Sequence, residues 1–117
     1  MILIAVRDAV LADSLRFSLE LEGYVAMLCD ELTLLPALAE RPDCLVLDQD
    51  VFANLIDADG GGRISQSGVP VVLMVGQMTK AIVDRAKAAG VTRVVEKPLV
   101  GGILFEEIRN AVYGPNP

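Results

Sequence analysis

The sequence predicts an α/β protein built on a doubly wound, five-stranded parallel sheet. Short aliphatic or β-branched runs alternate with segments whose apolar residues recur at helical spacing, as expected for consecutive βα units. Right-handed crossovers between five such units favour the strand order 2-1-3-4-5. The 117 residues, 53% of them hydrophobic, are enough for one packed core, so we expect a single domain over residues 1–117.

Five runs have the composition of strands. The first, third and fourth are apolar almost without interruption, which is typical of strands buried on both faces of a parallel sheet. We therefore predict that these three lie in the centre of the sheet. The five predicted strands cover residues 2–6, 25–28, 44–47, 71–75 and 93–95.

Helical spacing and capping residues define the segments between these strands. Apolar residues four apart, beginning at Leu11, predict a helix after the first strand, and a similar face beginning at Leu104 predicts the last helix. Thr33 and Thr79 are predicted N-caps of helices over residues 34–40 and 80–89. Gly23 and Gly90 are at positions where a helix should end and a strand begin. Gly90 follows the predicted helix over residues 80–89.

The helical signal is weakest between the third and fourth strands. Three consecutive glycines occupy positions 60–62, and each costs about 1 kcal/mol relative to alanine inside a helix. We therefore expect any third helix to be short, broken or mobile. The final four residues, GPNP, are predicted to stop the last helix.

Composition excludes several classes of protein. No apolar run approaches the ~20 residues that a membrane span requires, and MILIAVRD reaches charged residues too early for a secretory signal, so we expect a cytoplasmic protein. A net charge of -6 and 4% aromatic residues argue against nucleic-acid binding. Cys29 and Cys44 lack metal-binding spacing and the chain has no histidine, which favours free buried thiols.

The stretch CLVLDQD identifies a candidate site. Asp48 directly follows the buried third strand, and ligands of doubly wound sheets bind at the carboxyl ends of the strands where the winding reverses. By itself this aspartate is equally compatible with a solvated strand end or a helix cap. A glycine-rich phosphate loop is missing after the first strand, which argues against a nucleotide-binding protein or enzyme of the flavodoxin type.

Four segments resemble a bacterial two-component response-regulator receiver domain, which has the flavodoxin-like fold. They are ILIAVRDAVLADSLRFSLELEGY, PDCLVLD, VPVVLMVG and VVEKPL, and together their register extends over nearly the whole chain. The resemblance implies a signalling phosphoprotein that is not itself an enzyme. It implies that Asp48 accepts a phosphoryl group, that Lys97 approaches the phosphoryl oxygens, and that the Lys97–Pro98 peptide is cis.

The acidic pocket implied by this resemblance is altered. Val6 and Arg7 stand where the family has two acidic residues that hold Mg²⁺, and neither supplies the oxygen ligands that this ion requires. We therefore expect Mg²⁺ to bind weakly or not at all, with Asp8, Asp48 and Asp50 as the available carboxylates. Two placements are open for Arg7: it occupies the vacant metal position and pairs with Asp48 or Asp50, or its long side chain points into solvent.

The switching residues are altered as well. By the resemblance, Val75 replaces a serine or threonine that follows the phosphoryl group, and Val94 replaces an aromatic residue that moves with it. Valine has no hydroxyl donor and a restricted χ1 angle, so neither residue can perform that motion. Packing in the core of a parallel sheet is the expected role of both valines.

Two functions remain open at this point. The first is a stand-alone receiver that accepts a phosphoryl group on Asp48 from a histidine kinase or phosphotransfer protein, and the alternative is a pseudo-receiver that binds partners without phosphorylation. No nucleic acid or membrane partner is expected. The resemblance also implies a partner or homodimer surface on the fourth helix, fifth strand and fifth helix, where opposite charges on adjacent exposed faces come from Lys80, Asp84, Lys87, Glu106, Glu107 and Arg109.

Overall fold

The structure, a computed structural model, describes residues 1–59, 62–98 and 102–113. The elements follow the chain as β1 Ile2–Ala5, α1 Ala9–Leu21, β2 Ala26–Leu28, α2 Leu34–Leu38, β3 Cys44–Asp48, α3 Gln49–Asp59, α4 Gly62–Ser67, β4 Val71–Val75, α5 Lys80–Ala88, β5 Arg93–Glu96 and α6 Ile103–Tyr113. None of the helices in these ranges has both the length and the apolar character needed to cross a bilayer.

The five strands form one parallel sheet in the order β2-β1-β3-β4-β5. The predicted fold class and strand order are therefore confirmed. The three strands predicted to be central are β1, β3 and β4, and every one of their residues is buried. Their neighbours at the two edges, β2 and β5, are only partly buried because each pairs on one side alone.

Alternation along the strands separates two apolar cores. In β1, β3 and β4, odd-numbered residues such as Leu45 and Leu73 face the side covered by α2, α3, α4 and α5. Even-numbered residues such as Val46 and Met74 face α1 and α6, where Ile108 is fully buried. Full burial of each such side chain contributes about 1.5–3 kcal/mol, so these two layers hold the fold together.

The predicted helix ends are largely confirmed. Gly23 and Gly90 have φ values of 93° and 85°, the left-handed conformation that glycine adopts readily after a helix. Thr79 caps α5, since its hydroxyl accepts a hydrogen bond of 3.2 Å from the Ile82 amide. Thr33 is the N-cap residue of α2, as predicted, but its side chain makes no capping hydrogen bond, and α2 ends at Leu38, two residues before the predicted end.

The segment after β3 forms two helices. Helix α3 begins at Gln49, directly after the strand, and the six-residue α4 follows it. Gly62 opens α4, whereas Gly60 and Gly61 lie outside the described residues, as do residues 114–117 with their predicted helix stop. The predicted break therefore falls on residues outside the described ranges, and the helices predicted as fourth and fifth are α5 and α6.

Candidate functional site

Asp48 is the last residue of β3 and lies at the carboxyl edge of the sheet. It pairs across the sheet with Met74, so its side chain faces the layer of α1 and α6. Only 6% of Asp48 is exposed, and it is the one buried charged residue in the described part of the chain. A carboxylate at this depth needs a partner, because burying an unpaired charge is costly.

Lys97 supplies that partner. Its Nζ donates to Oδ1 of Asp48 over 2.9 Å, and its side chain is 34% exposed. The Lys97 amide also donates to the Val75 carbonyl over 2.8 Å, which continues the pairing of β5 with β4 by one residue. The peptide between Lys97 and Pro98 is cis, as predicted. The structure therefore brings Asp48 and Lys97 together.

The residue beside Asp48 on the neighbouring strand is apolar. Ala5 of β1 pairs with Leu47, so the next residue, Val6, lies beside Asp48. Val6 is buried and packs in the α1 and α6 layer. It provides no oxygen to the site.

Arg7 pairs with Glu31, a residue of the loop between β2 and α2. The Nε of Arg7 donates to Oε1 of Glu31 over 2.9 Å, and Nη2 donates to the same atom. Asn54 of α3 also donates to this oxygen, over 3.0 Å. The hydrogen bond from Arg7 lowers the pKa of Glu31, and the bond from Asn54 adds to this effect.

The expected pairing of Arg7 with Asp48 or Asp50 is therefore wrong. The carboxylate of Glu31 is held in place by a second donor, Asn54, and lies within bonding distance of the guanidinium. Asp48 is already bonded to Lys97. Both aspartates raise the pKa of Arg7 through space, but Glu31 raises it most.

The remaining aspartates of the predicted pocket do not gather around Asp48. Asp8 caps α1 by accepting hydrogen bonds from the amides of Val10 and Leu11 over 3.0 and 3.1 Å. Asp50 is exposed in the first turn of α3, where its charge favours the helix N-terminus. Within the described residues, no three acidic, cysteine or histidine side chains are grouped so as to hold a metal ion. The donor set does not fit Mg²⁺, which prefers several oxygen ligands in octahedral geometry.

Comparison with known proteins identifies the fold. No protein-family model and no curated protein matches the chain. Among solved structures, a response regulator receiver protein from Burkholderia phymatum is 27% identical, with a TM-score of 0.73, over 98% of this chain and 96% of that chain. The chemotaxis protein CheY4 of Vibrio cholerae is 16% identical, with a TM-score of 0.74, over 94% and 96% of the two chains.

A third structure carries the modification that the sequence resemblance implies. It is a response regulator from Burkholderia pseudomallei with a phosphorylated aspartic acid, a calcium ion and citrate. That protein is 18% identical, with a TM-score of 0.72, over 95% of this chain and 65% of that chain. This chain has the fold of a response-regulator receiver domain. The resemblance found in the sequence is thereby confirmed, and it supports a receiver role.

Within this receiver fold, Val75 does not face the acceptor. Val75 is fully buried with Leu73 in the layer of α2 to α5, on the opposite face of the sheet from Asp48. The prediction that it stands in place of a hydroxyl donor is wrong. Gly76 follows at the sheet edge and carries no side chain, while its amide donates to Oε1 of Gln49 over 3.1 Å.

Val94 lies where a cavity opens between α5 and β5 of the receiver. The valine is half-buried and packs against the core of the first layer. The cavity has a volume of about 240 Å³, and its lining includes Met78, Val83 and Val91. Packing is thus the role that the structure gives Val94, as expected from the sequence.

The predicted partner surface of the receiver is partly occupied by its own ion pairs. Lys80 and Asp84 pair with each other over 3.2 Å on the exposed face of α5. Glu107 of α6 accepts from Arg93 of β5 over 2.6 Å, a pair that the sequence analysis missed. The other charged residues predicted for this surface are exposed, namely Lys87, Glu106 and Arg109.

Proposed function

We propose that the protein is a phosphoryl-accepting receiver of a two-component phosphorelay and that Asp48 is the acceptor. The observation that carries this proposal is the Asp48 carboxylate at the end of a central strand, with the Lys97 ammonium 2.9 Å away. A carboxylate oxygen is the nucleophile, and the ammonium is a cation placed to meet the charge of the incoming phosphoryl group.

The transfer forms one bond and breaks one. An oxygen of Asp48 attacks the phosphorus of a phosphohistidine on a histidine kinase or phosphotransfer protein. The phosphohistidine reacts with its second ring nitrogen protonated, so that when the phosphorus–nitrogen bond breaks and its electron pair returns to nitrogen, the histidine leaves as neutral imidazole that keeps that proton. Lys97 stabilises the negative charge that is spread over the equatorial oxygens.

The proposed transfer does not require a divalent metal ion. The Burkholderia pseudomallei regulator was solved with calcium beside a phosphorylated aspartate, whereas the described residues here do not supply a metal cluster. We therefore expect Mg²⁺ to bind weakly or not at all. The carboxylates it could use at the acceptor are that of Asp48 itself and that of Asp50, two residues later in the sequence. Among the described residues, Lys97 is the cation that contacts the acceptor directly.

Intact-mass spectrometry after incubation with acetyl phosphate tests the proposal. The wild type should gain one phosphoryl group, and Asp48→Asn should gain none. Asp50→Asn is the matched control, because it removes an exposed carboxylate two residues away and should react like the wild type. A folded wild type that gains nothing from acetyl phosphate or from phosphorylated kinases would refute the assignment.

The second candidate is a pseudo-receiver that binds partners without phosphorylation. It is favoured by Val6, which is buried where a metal-binding acid would be needed, and by Arg7, whose guanidinium is taken up by Glu31. A negative result in the mass experiment, with binding of a partner retained in Asp48→Asn, would support this candidate.

A partner surface formed by α5, β5 and α6 belongs to either function. We propose that a second copy or a target protein binds to this surface, and that neither nucleic acid nor a membrane does. We also propose that the protein acts in the cytoplasm. Lys87, Glu106 and Arg109 offer exposed charges of both signs, so association should weaken as salt rises. Sedimentation at two ionic strengths tests this, and a strict monomer at high concentration in low salt would exclude the homodimer.

A further inference from the structure

The ion pair of Arg7 and Glu31 connects three segments at the acceptor edge of the sheet. Arg7 follows β1, Glu31 lies between β2 and α2, and Asn54 belongs to α3. One oxygen, Oε1 of Glu31, accepts from both other side chains. A change of partner at Arg7 would therefore alter the hydrogen bonds of the β2–α2 loop and of α3.

Arg7 is also close to the acceptor in the strand register. Strands β1 and β3 are neighbours, and Val6, immediately before Arg7, lies beside Asp48. Neighbouring strands are separated by about 4.8 Å, which a side chain as long as arginine can span. The Arg7 side chain is half exposed, at 51%, so core packing does not prevent the guanidinium from turning.

Charge determines which partner the guanidinium prefers. With Asp48 unmodified, Lys97 already neutralises that carboxylate, and Glu31 offers Arg7 a carboxylate of its own. A phosphoryl group brings about -1.5 to -2 charges at pH 7 and three acceptor oxygens, and arginine binds such a group through two parallel hydrogen bonds. Lys97 alone cannot balance that charge.

We propose that Arg7 exchanges Glu31 for the phosphoryl group when Asp48 is phosphorylated. Arg7 is then a phosphoryl-binding residue in place of a metal ion, and Glu31 is the competitor that holds it in the unmodified state. The exchange frees Glu31 and Asn54, so the signal leaves the site through the β2–α2 loop and α3. This inference rests on the proposed function, because it requires a phosphoryl group on Asp48.

The exchange makes the matched variants Glu31→Gln and Glu20→Gln behave differently. Glu31→Gln removes the competing charge, and Arg7 should then stabilise the phosphoryl group more, which lengthens the phospho-Asp48 half-life roughly twofold to fivefold, the range expected for an exposed ion pair. Glu20→Gln removes a carboxylate paired with Arg16 on α1 and should leave the half-life unchanged. Arg7→Gln should shorten it and should abolish the effect of Glu31→Gln.

The experiment measures phosphorylation and the Arg7 environment on the same sample. The full chain is incubated with acetyl phosphate without Mg²⁺, the phosphorylated fraction is read by intact mass, and the Nε–H resonance of Arg7 is followed by NMR. The expected result is a second Arg7 resonance whose intensity equals the phosphorylated fraction. Arg16 serves as the internal reference and should not shift.

The outcomes separate the two proposals. A phosphorylated protein with an unchanged Arg7 resonance, or equal half-lives for Glu31→Gln and Glu20→Gln, overturns the exchange and leaves Asp48 as the acceptor. Absence of phosphorylation in the folded wild type with acetyl phosphate and with phosphorylated kinases overturns both. A shifted Arg7 resonance together with a half-life that depends on Glu31 supports both.

Discussion

The Asp48–Lys97 pair should respond asymmetrically to removal of its two members. Asp48 is 6% exposed, whereas the Lys97 side chain is 34% exposed. Lys97→Met keeps the length of the aliphatic stem but leaves a buried carboxylate without its cation. Removing one member of a fully buried pair costs about 3–5 kcal/mol, and we expect about 3 kcal/mol here because Lys97 is partly solvated.

Asp48→Asn should cost less, about 1 kcal/mol or below, because the lysine head can turn into water. The double variant Asp48→Asn with Lys97→Met should lie within about 1 kcal/mol of the wild type, since a well-packed neutral pair replaces an ion pair at little net cost. The double-mutant cycle formed by these variants then gives a coupling free energy of about 2–3 kcal/mol between Asp48 and Lys97. This is well above the deviations from additivity seen for independent sites.

Urea denaturation monitored by circular dichroism measures these free energies of unfolding. The loss in Lys97→Met corresponds to a fall of roughly 10 °C in Tm for a domain of this length. Lys80→Met is the matched control, because Lys80 is 92% exposed and its pair with Asp84 should contribute less than about 0.5 kcal/mol. Equal losses for Lys97→Met and Asp48→Asn would refute the reasoning from burial.

Three further predictions concern packing, metal and pH. Gly90→Ala should destabilise more than Gly68→Ala in denaturation, because both have positive φ but only at Gly90 would the new Cβ meet another residue, at 3.1 Å. Calorimetry should detect no Mg²⁺ binding to the wild type, whereas Val6→Asp with Arg7→Asp should create it; a folded double variant that releases no binding heat would show that the acidic pair is not limiting. Burial raises the pKa of the Cys29 thiol from 9.0 to about 11 and that of the Cys44 thiol to about 12, so stability should fall above pH 9 as the unfolded thiols ionise first, and Cys29→Ala should reduce that slope by the Cys29 share and leave the share of Cys44.

The sheet was predictable because a strand that is buried on both faces has a simple sequence pattern, a continuous apolar run. Strands β1, β3 and β4 are continuous apolar runs, and the structure places them within one residue of the predicted bounds. Gly23 and Gly90 marked helix ends through a conformational requirement that is local to each residue.

The errors at the site have different causes. Val75 was assigned to the acceptor edge although alternation from the pair of Asp48 and Met74 places it on the opposite face, so the sequence contained a signal that was missed. The partner of Arg7 carried no such signal. Glu31 is 24 residues away in a loop, and its position depends on how β2 joins α2, which periodicity does not specify.

The double-mutant cycle tests whether Lys97 is there to stabilise the fold or to serve the acceptor. A buried ion pair is weak grounds for stability, because desolvation of both charges offsets their attraction. If the neutral double variant folds as well as the wild type, the pair contributes little to folding, and a nucleophilic carboxylate next to an ammonium requires another explanation. Phosphoryl acceptance supplies one, since Asp48 provides the oxygen and Lys97 the cation. If the double variant is instead much less stable, the pair is a structural element, and the case for phosphorylation then depends on the mass experiment alone.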